Sequence, residues 1–163
     1  MDQLTELEKA RRDGTLILPD GDTLSVTNLH KVFWPKQKLT KGDLLRYYVQ
    51  VAPYILPAVD DRPLVMKRYP NGIAAPPFYQ HRVSDAPPGV RVENVEVAQR
   101  RPQIIGGNLK TLLYMTQLAA ISQDPWFSRV SSPQSADYVA LDLDPAELLE
   151  RYALSPFKRP LPV

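Results

Sequence analysis

Prolines set the limits on this chain. Each of the 17 in 163 residues lacks a backbone donor and has its φ fixed, so the interior of a helix or of a central strand is a costly place for it. They concentrate at Pro76-Pro77, at Pro87-Pro88 and between Pro156 and Val163, which marks those stretches as connections. Leu16-Ile17-Leu18, Pro19-Asp20-Gly21-Asp22 and Leu24-Ser25-Val26 read as a small hairpin, since proline presets a turn and glycine accepts a positive φ. Thr40-Lys41-Gly42-Asp43 resembles a capping box with Asp in place of Glu. It precedes Leu44, Leu45, Tyr48, Val51 and Ala52 at helical spacing and predicts a helix from about Lys41 to Ile55, ending near Pro57. Strands are predicted over Pro63 to Tyr69 and Val90 to Val97. Asn108 is a good N-cap for a helix through about Ile121, and Tyr138 to Leu143 is predicted as the last strand. Glu147 to Leu154 could form a short helix, and Ser155 to Val163 reads as irregular.

Composition narrows the function little. Twenty Lys and Arg against 18 Asp and Glu give a net charge of +2 and a pI near 8.8, which permits an acidic partner without demanding one. The absence of cysteine excludes disulfides and thiolate metal sites and agrees with a reducing compartment. Met1 to Arg12 has no apolar signal region, and no apolar run approaches the ~20 residues that span a bilayer. A soluble cytoplasmic protein with no membrane partner is the expectation.

The sharpest chemical feature is Asp142-Leu143-Asp144. Residues two apart on a strand face the same side, so both carboxylates can point together while Leu141 and Leu143 pack behind them. Two adjacent carboxylates repel unless a cation or proton neutralises them, and hard oxygen ligands of this kind favour Mg²⁺ or Mn²⁺. Two solvated acids at a strand end would have the same spacing. No Gly-x-x-x-x-Gly-Lys-Ser/Thr loop occurs, so a P-loop NTPase is unsupported. His30 and His81 lack metal-ligand spacing and read as ordinary polar residues, and Trp126 reads as structural.

Seven motifs in order supply context. They are Thr27-Asn28-Leu29-His30-Lys31-Val32-Phe33-Trp34-Pro35, Leu39-Thr40-Lys41-Gly42-Asp43, Asp61-Arg62-Pro63-Leu64, Lys67-Arg68-Tyr69-Pro70-Asn71-Gly72, Pro77-Phe78-Tyr79-Gln80, Pro125-Trp126-Phe127-Ser128-Arg129 and Leu141-Asp142-Leu143-Asp144-Pro145. From about Thr23 to Pro145 the chain resembles the polymerase domain of bacterial DNA ligase D, a primase-like nucleotidyltransferase of DNA end joining. The resemblance divides the chain into an extension and hairpin start (1–22), the N-terminal part of that domain (23–145) and a divergent tail (146–163). It implies an α/β (α+β) fold with a mixed, largely antiparallel sheet flanked by helices, truncated on its C-terminal side. It also implies template-directed nucleotidyl transfer at DNA breaks or gaps, with Asp142 and Asp144 as catalytic metal ligands for Mn²⁺ or Mg²⁺ in a two-metal mechanism.

The implied partners are DNA carrying a 5′-phosphate at a gap or break, nucleoside triphosphates, and Ku and a ligase module, all at the nucleoid. By motif match, Asn28, Lys31 and Lys41 bind the 5′-phosphate. Lysines supply charge, an amide supplies orientation, and Lys41 opens a helix whose free N–H groups favour an anion. Lys67 and Arg68 would contact template phosphates, with Phe78 and Tyr79 stacking on a base from what reads as a loop, core packing being the competing role for at least one of the aromatics. Ser128 and Arg129 are candidates for the incoming triphosphate, one as a small donor and the other as a planar, permanent charge.

Two departures stand out. Many members of that family carry a histidine that contacts nucleotide phosphates where Asp124 stands, and an ionised Asp cannot donate. The family also continues past Asp-Leu-Asp-Pro through a Ser-Gly-x-Lys-Gly-x-His segment and a third catalytic carboxylate, both missing from this sequence. The alternative expectation is therefore a catalytically incomplete module that binds DNA ends, or a gene fragment without function.

Overall fold

The structure, a computed structural model, describes residues 2–83, 85–95 and 101–141. It opens with helix α1 (Asp2–Lys9), which buries Leu4 and Leu7. The hairpin β1 (Gly14–Ile17) and β2 (Thr23–Val26) follows, with Leu16 opposite Leu24. Its turn closes as its residues dictate. Leu18 N–H donates to the Asp22 carbonyl (2.8 Å) and Gly21 N–H to the Leu18 carbonyl (2.9 Å), with Gly21 at φ +87° where a side chain would be strained.

A second small hairpin, β3 (Val32–Trp34) and β4 (Leu39–Thr40), leads into α2 (Lys41–Val59). The capping box is present. Thr40 Oγ1 accepts from Asp43 N–H at 3.3 Å and Asp43 Oδ2 accepts from Thr40 N–H at 2.7 Å, so the shorter acid does the work of the usual Glu. Arg46 pairs with both Asp43 and Glu8, tying α1 to the first turn of α2.

The helix runs past its predicted end, through both Pro53 and Pro57. These prolines are exposed and four residues apart on the solvent face, where water can hydrate the carbonyls they leave unpaired, while Ala52, Ile55 and Val59 pack inward.

Strand β5 (Pro63–Arg68) is the centre of a five-stranded antiparallel sheet with β6 (Phe78–Gln80), β7 (Val92–Val95), β8 (Arg101–Ile105) and β9 (Ala120–Pro125). One edge of β5 pairs with β9, from Leu64 opposite Pro125 to Arg68 opposite Ala120. The other edge is shared: β8 takes Pro63 and Leu64, and β6 takes Met66 to Arg68. The predicted Val90–Val97 strand starts two residues later than expected, at Val92, and its end from residue 96 on, Val97 included, lies outside the described residues.

Between β8 and β9, helix α3 (Leu109–Gln117) starts at Asn108, whose Oδ1 accepts from Thr111 N–H at 2.8 Å. It stops short of the predicted Ile121. Ala119 adopts φ +65° and the chain turns into β9, so Ile121 belongs to a strand. The left-handed residue costs roughly 1–2 kcal/mol for a non-glycine, and pairing of β9 along the length of β5 offsets it.

The last described strands are β10 (Ser128–Arg129) and β11 (Ser132–Ala136). The predicted strand from Tyr138 is not formed over Tyr138 to Leu141, where Val139 is 77% and Leu141 81% exposed. Alternating apolar residues make a strand only with a neighbour to pair and a surface to cover, and the described residues offer these neither. Leu141 accordingly packs behind nothing described.

Leu64, Met66 and Ile104 pack against Met115 of α3 and Val59 of α2, which covers one face of the sheet. The other face carries Val65, Lys67, Ser122 and Asp124, half-buried to exposed. The class is α/β with antiparallel pairing and flanking helices, as expected. Among the described residues no helix is long and apolar enough to cross a membrane.

Replacing Thr40 by Ala should lower unfolding free energy by about 1 kcal/mol in urea titrations, as for other lost N-caps. Burial pushes the Asp43 carboxyl up, but hydrogen bonds from Thr40 and the Arg46 guanidinium outweigh it and hold the group below 3.8. The folded carboxyl thus binds its proton less readily than the unfolded one. Its stabilisation should be present above pH 3.8 and be lost as pH falls through the lower folded value, a dependence absent from Asp43→Asn.

Candidate nucleic-acid interface

The turn between β2 and β3 lies over the start of α2. Lys31 N–H closes it onto the Asn28 carbonyl (3.0 Å), and the turn's own carbonyls then receive the first helix donors, Lys41 N–H to Lys31 O and Gly42 N–H to Leu29 O, both at 2.9 Å. Asp43 N–H is taken by the cap. The expectation that free N–H groups at this helix start would receive an anion is therefore corrected, because the turn has already satisfied them. What the helix start contributes is side-chain charge.

That charge is concentrated. Lys41 is only 5% exposed, with Nζ donating to the Thr27 carbonyl at 2.9 Å. Burial pulls its ammonium down from 10.5 to about 8; Asp13 opposes the shift, while Lys31 and Arg68 add to it by repulsion. Three cations from three separate segments thus share one neighbourhood. Asn28 is exposed beside them at φ +56°, with its N–H bound to Asp13 Oδ1 (2.8 Å) and its side-chain Nδ2 to Thr27 Oγ1 (3.2 Å).

Strand periodicity divides the second group of candidates. Lys67 stands opposite Tyr79 and Arg68 opposite Phe78, so the two pairs point to opposite faces of the sheet. Lys67 Nζ lies 5.4 Å from the Tyr79 ring centre, and the Arg68 guanidinium 5.2 Å from that of Phe78. Phe78 is 46% and Tyr79 56% exposed, so neither is a core residue.

They also sit on a strand and not in the expected loop, since the chain pairs with β5 as soon as Pro76-Pro77 ends. Arg68 is further held by Nε to the Leu118 carbonyl and Nη1 to Gln80 Oε1, both at 2.6 Å. Because β6 is the outer strand, one sheet edge gives access to both pairs.

Ser128 and Arg129 are neighbours with different surroundings. Ser128 lines an open cleft of about 480 Å³ with Trp126, Phe127 and Gln134, from which Arg129 is absent. The Arg129 guanidinium is engaged by Asp137 Oδ2 and the Asp60 carbonyl, both at 2.8 Å. Asp137 also holds Arg62, whose other donors reach the carbonyls of Ala58, Trp126 and Phe127. Sequence reasoning missed this Arg62–Asp137–Arg129 clamp. The one available signal was an arginine directly before a buried strand.

Asp124 is exposed on β9, accepts the Ser122 hydroxyl, and faces the same side as Lys67. Asp142 and Asp144 lie outside the described residues. Their donor set, two hard carboxylate oxygens in an i, i+2 pattern, fits Mg²⁺ or Mn²⁺. Among the described residues no group of three or more His, Cys, Asp or Glu side chains comes together.

The described residues thus form an α/β domain with an antiparallel sheet, a cationic turn and exposed cation–aromatic pairs. Residues 40–154 match the family described as LigD, primase-polymerase domain, and the chain belongs to that family. It is 30% identical over 127 residues to the bifunctional non-homologous end joining protein LigD of Bacillus subtilis, covering 78% of this chain. It is 31% identical over 136 residues to the multifunctional non-homologous end joining DNA repair protein LigD of Mycobacterium tuberculosis, covering 76% of this chain. It spans only 20% and 18% of these relatives. The structure resembles the polymerase domain of Mycobacterium tuberculosis ligase D in complex with DNA, with a TM-score of 0.62 at 30% identity, covering 69% of this chain and 40% of that one.

Lys41 should titrate near pH 8 in side-chain NMR. Its folded value lies below the unfolded 10.5, so between the two the unfolded chain binds more protons and stability should rise with pH. Denaturant titrations across that window should show the slope in the native chain and its loss in Lys41→Met.

Proposed function

We propose that this chain acts in the repair of DNA breaks, reading a 5′-phosphorylated end and its template strand for template-directed nucleotidyl transfer in bacterial non-homologous end joining. The observation that carries the reading is the buried Lys41 ammonium on the Thr27 carbonyl, with Lys31 bonded beside it through the backbone and Arg68 tied to Leu118, next to the Gln117 that holds Thr27. Asp13 offsets part of the repulsion among these cations, and a bound phosphate would relieve what remains. In this reading residues 23–145 are the N-terminal part of the polymerase domain, 1–22 precede it and 146–163 form a divergent tail.

Each group has a stated role. Asn28, Lys31 and Lys41 bind the 5′-phosphate. Lys67 and Arg68 meet template phosphates along the β6 edge while Phe78 and Tyr79 stack on bases, and Ser128 meets the nucleoside triphosphate from its cleft. Arg129 can join it only by exchanging Asp137 for phosphate. Asp142 and Asp144 would hold Mn²⁺ or Mg²⁺, which supplies activation of the primer hydroxyl and charge neutralisation at the leaving pyrophosphate. The names of the relatives support a setting in end joining; the proposal adds Ku and a ligase module as partners, in the cytoplasm at the nucleoid.

The engagement of Arg129 by Asp137 favours a second reading, a module that binds DNA ends and leaves chemistry to another polypeptide. Metal-dependent incorporation on a gapped duplex that disappears in Asp142→Ala supports transfer. Its absence, alongside binding that requires the 5′-phosphate, supports the module.

In either case Lys31→Ala should weaken binding to the phosphorylated gap by about tenfold, as loss of a charged hydrogen bond predicts. It should also flatten the salt dependence of log K by about one phosphate's worth. Fluorescence anisotropy over a salt series measures both. An unaltered Kd and slope in that variant would sink the assignment of Lys31.

A further inference from the structure

Asn28 is exposed in a left-handed conformation, a poor way to hold a recognition group unless other parts of the molecule fix it. What fixes it comes from α3, 90 residues away in sequence. Gln117, the last residue of that helix, accepts the Thr27 N–H with Oε1 at 3.2 Å and donates from Nε2 to Thr27 Oγ1 at 2.8 Å. Thr27 Oγ1 accepts Asn28 Nδ2 at 3.2 Å as well, and the Thr27 carbonyl accepts Lys41 Nζ at 2.9 Å. The amide N–H, the carbonyl and the hydroxyl oxygen of Thr27 are thereby all engaged. An amide nitrogen carries two hydrogens, so with one committed to Thr27 the other is aimed and available.

The next residue serves the other half of the surface. The Leu118 carbonyl accepts Arg68 Nε at 2.6 Å. The C-terminal end of α3 therefore holds the Thr27–Asn28 turn with one residue and the template-side arginine with the next.

We infer that Gln117 and Thr27 are positioning residues for 5′-phosphate recognition: the Gln117–Thr27 pair orients the Asn28 amide and the Lys41 ammonium, and α3 fixes their distance from Arg68. The inference rests on the reading of Asn28, Lys31 and Lys41 as the phosphate site and adds what makes that site specific. Neither residue needs to touch DNA. Gln117 presents both an acceptor and a donor, which few side chains could replace: Glu keeps the acceptor but adds a negative charge, and Ala keeps neither.

The test compares the full chain's affinity for two gapped duplexes that differ only in a 5′-phosphate or 5′-hydroxyl at the downstream strand. Gln117→Ala and Thr27→Val should each reduce the phosphate-dependent affinity ratio by about 5–10-fold, the equivalent of one net hydrogen bond, and leave 5′-hydroxyl binding in place. Thr27→Ser should restore the ratio, and the double variant should lose less than the product of the two single effects, because both singles remove the Gln117 Nε2–Thr27 Oγ1 bond.

A preserved ratio in Thr27→Val overturns the inference, as does a parallel loss of affinity for both duplexes, which would mean a merely structural role. If Gln117→Ala fails to fold, the Thr27→Val and Thr27→Ser comparison decides alone. A native chain that binds both duplexes equally overturns the phosphate reading and this inference with it. A native chain that keeps a phosphate preference sensitive to Lys31→Ala but not to Thr27→Val overturns the inference alone.

Discussion

The six residues of β5 hold this structure together, because both of their edges are occupied. β9 runs along one side, and β8 and β6 divide the other between them. A strand so enclosed must satisfy its buried backbone groups by pairing, and this fixes where each neighbour begins. It also fixes which side chains meet: Met66 turns inward to Met115, Lys67 meets Tyr79 on the opposite face, and Arg68 meets Phe78 on the Met66 side, at the margin of the core. A one-residue slip of β6 would exchange the faces of both aromatics. The candidate template surface is thus a consequence of core register.

Against that frame of paired strands, the cations at Lys31, Lys41 and Arg68 are an electrostatic cost. Lys41 has surrendered most of its hydration for a contact to the Thr27 carbonyl, and burial pulls its ammonium down although Asp13 opposes the shift. The overall charge of +2 gives no hint of this, since the three groups are dispersed in sequence and balanced globally by 18 acids. Local convergence, and not net charge, distinguishes this surface.

Local chemistry was legible in the sequence wherever a residue acts on its near neighbours. Thr40 with Asp43, Asn108 with Thr111, and the Asp20-Gly21 turn all form as their side chains dictate. Readings failed where distant partners decide. Pro57 signals a helix stop, yet its position on the solvent face lets α2 continue. Ile121 fits the apolar period of α3, yet β9 pairs with β5 through Ala120 and Ser122 on either side of it, which takes it into the strand as a bulge residue. The candidate site divides in the same way. Asn28, Lys31 and Lys41 were found as motif residues, but the Thr27–Gln117 bonds cross 90 positions and leave no periodic or compositional trace. Asp142 and Asp144, the most prominent pair in the sequence, lie outside the described residues.

Arg62 shows why a conspicuous basic residue need not be a ligand site. At 4% exposure it spends its donors on three carbonyls and on Asp137, and its guanidinium lies 4.7 Å from the centre of the Tyr138 ring. Arg129 shares Asp137, whose carboxyl is held below its ordinary value, first by the hydrogen bond from Arg129 and then by that from Arg62. A carboxylate between two guanidiniums keeps residues 126–138 against the turn at 58–62, and a phosphate could take its place only where solvent reaches. Arg129 is the more exposed of the pair. If nucleotide binding recruits either arginine, the geometry selects Arg129, leaving Arg62 and Asp137 to preserve the cleft beside Ser128.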